Sequence, residues 1–149
     1  MNAKAPSPEG LTLNINEEIH VKASPEATFT ALLEQVGPHH ELEPGKPLSM
    51  KLEAWPGGRW YRDLGDGNGH CWGHVQSIKK AALLEISGPL MMSYPTVSSI
   101  QYRLTAVEGG TLIKFHHMAM GPIQDGHRQG FLAIWPQVMK SVKARAEAR

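Results

Sequence analysis

Only one cysteine, Cys71, occurs in the chain, so an intramolecular disulfide framework is excluded. An excess of one charge is also missing: 15 Lys and Arg stand against 14 Asp and Glu, a formal net charge of +1. The basic residues are scattered apart from one cluster at the C-terminus, which leaves no electrostatic footprint for nucleic acid. Long apolar runs are absent, and none approaches the roughly 18 residues of a membrane span. The opening MNAKAPSPEG has no apolar stretch of the signal-peptide kind. These absences lead to the expectation of a cytoplasmic, soluble protein. At 149 residues with 41% hydrophobic, the chain suffices for one domain with a real core.

The Pro-, Ser- and Gly-rich residues 1–10 read as a flexible tail, with residues 11–149 forming the single domain. Leu11, Leu13, Ile15, Ile19 and Val21 alternate with polar residues, which gives one long first strand with a bulge near Asn16–Glu17. In SPEATFTALLEQVGP, Ser24 is a good N-cap and Pro25 suits the first helical position. Phe29, Leu32, Leu33 and Val36 form its apolar stripe, and Gly37–Pro38 ends it. Six strands follow: LSMKLEAW, GRWYRDL, GHCWGHVQSI, ALLEISG, TVSSIQYRLTAV and TLIKFHHMAM. The short breaks between them imply an antiparallel meander, with Lys79–Lys80 an unusual tight turn. From about Asp125 the chain reads as a long amphipathic helix with Phe131, Trp135, Val138 and Val142 on one stripe. Pro136 lacks a backbone donor, so a kink or restart is expected there.

The predicted fold is α+β. A curved antiparallel sheet of about six to seven strands wraps the long C-terminal helix, with a short helix after strand one. EEIHVKASPEATFTALL, PGGRW (Pro56 to Trp60), GHVQSIKKAALLEISG and FLAIWPQVMKSVKA carry a resemblance to the START-like, or SRPBCC, helix-grip superfamily. More narrowly the chain resembles the bacterial branch related to the activator of heat-shock-protein-90 ATPase. The resemblance spans nearly all of residues 11–147 and implies a cavity between sheet and helix that often holds an apolar small molecule. It also implies a range of roles, from ligand carriers to polyketide cyclases and chaperone regulators. Its motifs are structural turns and core positions, so they specify fold better than function. The chaperone activators carry a second, chaperone-binding domain for which this chain has no room.

Eight histidines are the natural candidates for chemistry. Strand geometry sends neighbours to opposite faces, so His116 and His117 cannot share one ion. His117 is expected on the inner wall with Ile113, Phe115 and Ala119, and His116 on the outer face. His70, Trp72 and His74 share one face of their strand, but residues four apart lie about 13 Å from each other, too far for one metal. His39, His40, Glu41 and Glu43 fall in a loop, where a transition-metal site is conceivable but matches no recognised spacing. GDGNGH lies between strands and reads as a hairpin turn, not a dinucleotide loop, so no cofactor is expected. Cys71, alone in a strand, reads as a small buried hydrophobe. The parity of Trp60, Tyr61 and Arg62 stays ambiguous.

The expected cavity wall is Trp72, His74, Tyr102, Phe115, His117, Phe131 and Trp135, with no metal ligand and no catalytic set. The leading functional reading is therefore non-enzymatic binding of an apolar or amphipathic small molecule between sheet and C-terminal helix. A second reading is a cyclase- or hydrolase-like enzyme with His117 or His74 as general acid–base. A third, from the resemblance alone, is a chaperone-ATPase regulator acting on a chaperone partner. A homodimer is left open.

Overall fold

The computed structural model describes residues 8–149. Most of the expected tail, residues 1–7, lies outside the described residues, while Pro8–Leu11 forms a 3₁₀ turn. Strand β1 (Thr12–Val21) leads to helix α1 (Pro25–Val36), where the Ser24 hydroxyl accepts from the Ala27 N–H at 3.1 Å. Phe29, Leu32 and Val36 on the α1 stripe are buried, each contributing roughly 1.5–3 kcal/mol of apolar burial. A hairpin of β2 (Glu41–Glu43) and β3 (Lys46–Pro47) then precedes β4 (Lys51–Leu52). The meander comprises β5 (Arg59–Gly65), β6 (Asn68–Lys79), β7 (Leu83–Gly88), β8 (Val97–Val107) and β9 (Gly110–Met120). Helix α2 (Asp125–Glu147) closes the order. The main sheet has seven strands in the order β1-β9-β8-β7-β6-β5-β4, every pair antiparallel.

Register fixes what faces α2. Cross-strand pairing places Ile15, His117, Ile100, Ile86 and Val75 in one row across five strands. The next row holds Glu17, Phe115, Tyr102, Leu84 and Ile78. Four aliphatic side chains therefore flank a histidine. The buried stripe of α2, Phe131, Ile134, Trp135, Val138, Met139, Val142 and Ala146, packs over these rows.

The sheet curves where its strands carry extra residues. Trp60 pairs Gly73 while Tyr61 pairs Cys71, so Trp72 is an extra residue in β6; a second irregularity follows between Val75 and Ser77. At this bulge β6 and β7 come close. A Cβ on Gly88 would lie 2.3 Å from the Trp72 carbonyl oxygen, and one on Gly73 2.7 Å from that of Ser87. The β5–β6 turn needs Asp66 and Gly67 at φ 54° and 77°, which suits a primed two-residue hairpin.

Four expectations are corrected. The first strand is not bulged: β1 and β9 stay in register from Thr12–Met120 to Val21–Thr111, and Glu17 simply occupies an inward position. LSMKLEAW is mostly loop, because its backbone bonds to turns, Leu48 N–H to His40 and Met50 N–H to Gly37, and only Lys51–Leu52 joins the sheet. Pro136 neither breaks nor restarts α2, because the buried stripe continues on both sides of it. The tight turn is Lys80–Ala81, with Ala82 N–H bonded to the Lys79 carbonyl at 2.9 Å and Ala81 at φ 63°.

The outer edge of β1 is occupied by α2 side chains. Arg128 donates to the Thr12 carbonyl at 2.9 Å, Lys143 to that of His20 at 2.9 Å, and Glu147 accepts from the Lys22 N–H at 2.8 Å.

Candidate functional site

Five of the expected wall residues meet between the sheet and α2. Ring centroids lie 4.8 Å apart for Tyr102 and Phe115, and 5.0 Å for Phe115 and Trp135. They lie 4.7 Å apart for His117 and Phe131, and Phe131 stacks on Trp135 at 5.7 Å. All five are buried, and the contacting rings occupy the interior at this level.

His117 is held at both nitrogens. The Trp135 indole N–H, which can only donate, points at His117 Nδ1 at 3.0 Å. The neutral ring must then carry its proton on Nε2, which donates to the Ser98 hydroxyl at 3.0 Å. Burial, with a smaller contribution from the neighbouring His116, lowers its pKa from 6.5 to about 4. His117 is thus a neutral, fully bonded core group with no nitrogen left for a substrate. His116 lies on the outer face, where its Nε2 meets Asn14 Oδ1 at 2.6 Å.

Trp72 belongs to a separate cluster under the loop after α1. Its ring lies 5.2 Å from Trp60 and 5.4 Å from His40, both edge-on. Trp60 is anchored by its N–H to the Val36 carbonyl at 2.7 Å. His40 is 1% exposed, and its Nδ1 has no hydrogen-bond partner among the described residues. Burial brings its pKa down to about 4. His74 does not join either cluster. The extra residue at Trp72 slips the strand's parity, so Trp72 and Val75 face in and His74 is exposed on the outer face, opposite Arg59. The same irregularity resolves the ambiguous trio: Trp60 turns inward, Tyr61 lies outside beneath the Arg59 guanidinium at 4.4 Å, and Arg62 is exposed.

The loop donors considered for a metal are dispersed. His40 is turned into the core, Glu41 accepts from the Gly45 N–H, and Glu43 pairs Lys46 at 2.7 Å. Among the described residues no group of three or more His, Cys, Asp and Glu is placed to hold an ion. Cys71 is exposed, not buried, because its side chain lies on the face opposite Trp72.

The hollow that reaches the aromatic interior lies at the N-terminal end of α2. It measures about 170 Å³ and is lined by Met91 from the β7–β8 connection and by Gly126, His127, Gly130, Phe131 and Ile134 of the helix. Phe131, only 1% exposed, forms the floor beneath this hollow and packs against His117 and Trp135. A Cβ added at Gly126 or Gly130 would meet nothing within 4 Å, so both glycines border open space. The polar point is His127, whose Nδ1 lies 2.8 Å from the Tyr94 hydroxyl, which in turn accepts from the Gln124 N–H at 3.0 Å. Sequence reading missed His127. The available signal was its place four before Phe131 and seven before Ile134, on the inward stripe of the helix. A larger groove of about 530 Å³, with exposed Val97, Met118 and Met120, lies on the outer face of the sheet.

Sheet order, strand count and the buried helix together define a helix-grip fold. A protein from Mesorhizobium loti shares it at 18% identity, over 91% of this chain and 98% of that one, with a TM-score of 0.71. The Aha1 dimer from Colwellia psychrerythraea is 18% identical over 91% of this chain and 96% of its own, with a TM-score of 0.62. The di-domain ARO/CYC StfQ of the steffimycin biosynthetic pathway is 14% identical over 95% of this chain and 51% of its own, with a TM-score of 0.61. No family model and no curated protein matches the chain. Among the described residues no helix is long and apolar enough to cross a membrane.

Proposed function

We propose that the protein binds a small apolar or amphipathic molecule, without chemical conversion, in the pocket between the β7–β8 connection and α2. The supporting observation is that pocket, walled by Met91, Phe131 and Ile134 and opening to solvent along Gly126 and Gly130. At about 170 Å³ it is smaller than the 300–1,000 Å³ of ordinary ligand sites. Its volume is close to that of the engineered apolar cavity of about 150 Å³ that takes one benzene, but it opens to solvent along Gly126 and Gly130 where that cavity is closed. A single ring is therefore the size class it accepts, with Met91 able to adapt to shape. The acid–base alternative finds no support in either of its histidines, since His117 is sealed and His74 lies on the outer face.

The test is a panel of one-ring compounds read by thermal shift and by tryptophan fluorescence, in which Trp135, one of four tryptophans, stacks on the pocket-wall Phe131. Ligand at about a hundredfold excess over Kd adds about 2.7 kcal/mol of stability. Gly130→Leu fills the pocket from the helix side and is expected to abolish both signals while leaving the fold intact. Absence of binding to every compound at millimolar concentration overturns the proposal.

A further inference from the structure

We infer that the pocket selects one-ring molecules bearing a hydrogen-bond acceptor, such as a carbonyl oxygen, and that His127 is the residue that reads it. This deepens the proposed function and rests on it. The Gln124 backbone N–H can only donate, so it takes a lone pair of the Tyr94 hydroxyl. The hydroxyl hydrogen is assigned to His127 Nδ1, which lies 2.8 Å away. A neutral ring that accepts at Nδ1 carries its proton on Nε2. His127 lines the pocket, and among the described residues no partner is found for that Nε2–H.

No other side chain of the lining can hydrogen-bond the guest's polar end. Met91, Phe131 and Ile134 are apolar, and Gly126 and Gly130 bring no side chain. One polar side chain among apolar ones is an arrangement that sets orientation and specificity. Tyr94 acts as the positioning residue, since its hydroxyl fixes which ring nitrogen bears the proton. His127 is also packed beside Phe131 at 6.4 Å, which limits its rotation.

The experiment compares acetophenone with ethylbenzene, two guests of similar size that differ in one oxygen, by calorimetric titration of the full chain. On burial alone the more apolar ethylbenzene binds tighter. With the donor in place acetophenone is expected to win, by roughly three- to tenfold for a net hydrogen bond. His127→Phe should reverse the order, and His127→Gln, which keeps an N–H donor, should restore it in part. Tyr94→Phe should shrink the preference with little change in ethylbenzene affinity. Each comparison is a ratio within one variant, so a general loss of stability cancels. If both guests bind and ethylbenzene is preferred, or if His127→Phe leaves the ratio unchanged, the inference is overturned while the pocket reading stands. If neither guest binds, the pocket reading falls with it.

Discussion

His117 and His40 are both sealed in the core, yet they are sealed in opposite ways. His117 has an indole donor on one nitrogen and a hydroxyl on the other. His40 packs edge-on against Trp60 and Trp72, with its Nδ1 unpartnered among the described residues. Both are pushed to a pKa of about 4, in each case chiefly by burial. The comparison teaches that a depressed histidine pKa reports loss of water, not the presence of a mechanism. Bonding separates the two: removing His117 strands two partners, whereas removing His40 strands none at Nδ1.

The largest expected effect probes what the two share. Both rings stay neutral in the folded state down to about pH 4, while in the unfolded chain they charge near pH 6.5. The unfolded state therefore binds protons first. The stability these two rings contribute is complete above pH 6.5, falls as pH drops from 6.5 to about 4, and changes no further below that. Each ring contributes a loss on the order of 3 kcal/mol, readable as a falling urea midpoint across that window. A midpoint that stays flat between pH 6.5 and 4 breaks the pairing.

His117→Phe comes next. It leaves the Trp135 N–H and the Ser98 hydroxyl without a partner in the core, at a cost of about 3 kcal/mol in denaturant unfolding at pH 7. Trp135→Phe in the same background should recover part of that loss by removing one stranded donor. His40→Phe is expected to cost less than about 1 kcal/mol at pH 7 and to halve the acid slope. Equal losses for the two Phe variants would erase the distinction. The smallest effect is Tyr102→Phe. The Tyr102 hydroxyl is buried with no partner among the described residues, so its removal should be neutral or stabilising by under about 1 kcal/mol.

How much was legible depended on the regularity of pairing. β9 is paired on both sides without a register shift, so simple parity sent His117 in and His116 out. β6 carries irregularities against both neighbours, and the same parity rule misplaced His74. A bulge is decided by the partner strand and by close approach at Gly73 and Gly88, neither of which the local pattern exposes. The order of elements was readable because caps, stripes and turns are local. Three features were not: the small β2–β3 hairpin, the burial of His40, and the pocket at His127. Each depends on segments distant in the chain, as when Tyr94 from the β7–β8 connection meets His127 on α2.

The occupied edge of β1 bears on assembly. An unpaired strand offers its backbone as a template on which other chains can grow. Here a guanidinium, an ammonium and a carboxylate from α2 already hold the ends of that template at Thr12, His20 and Lys22. The stretch between them presents Asn14, Asn16 and Glu18. A newcomer strand must displace three charged groups and seat against a carboxylate, so the C-terminal helix that fills the core also guards the sheet against fibrous growth.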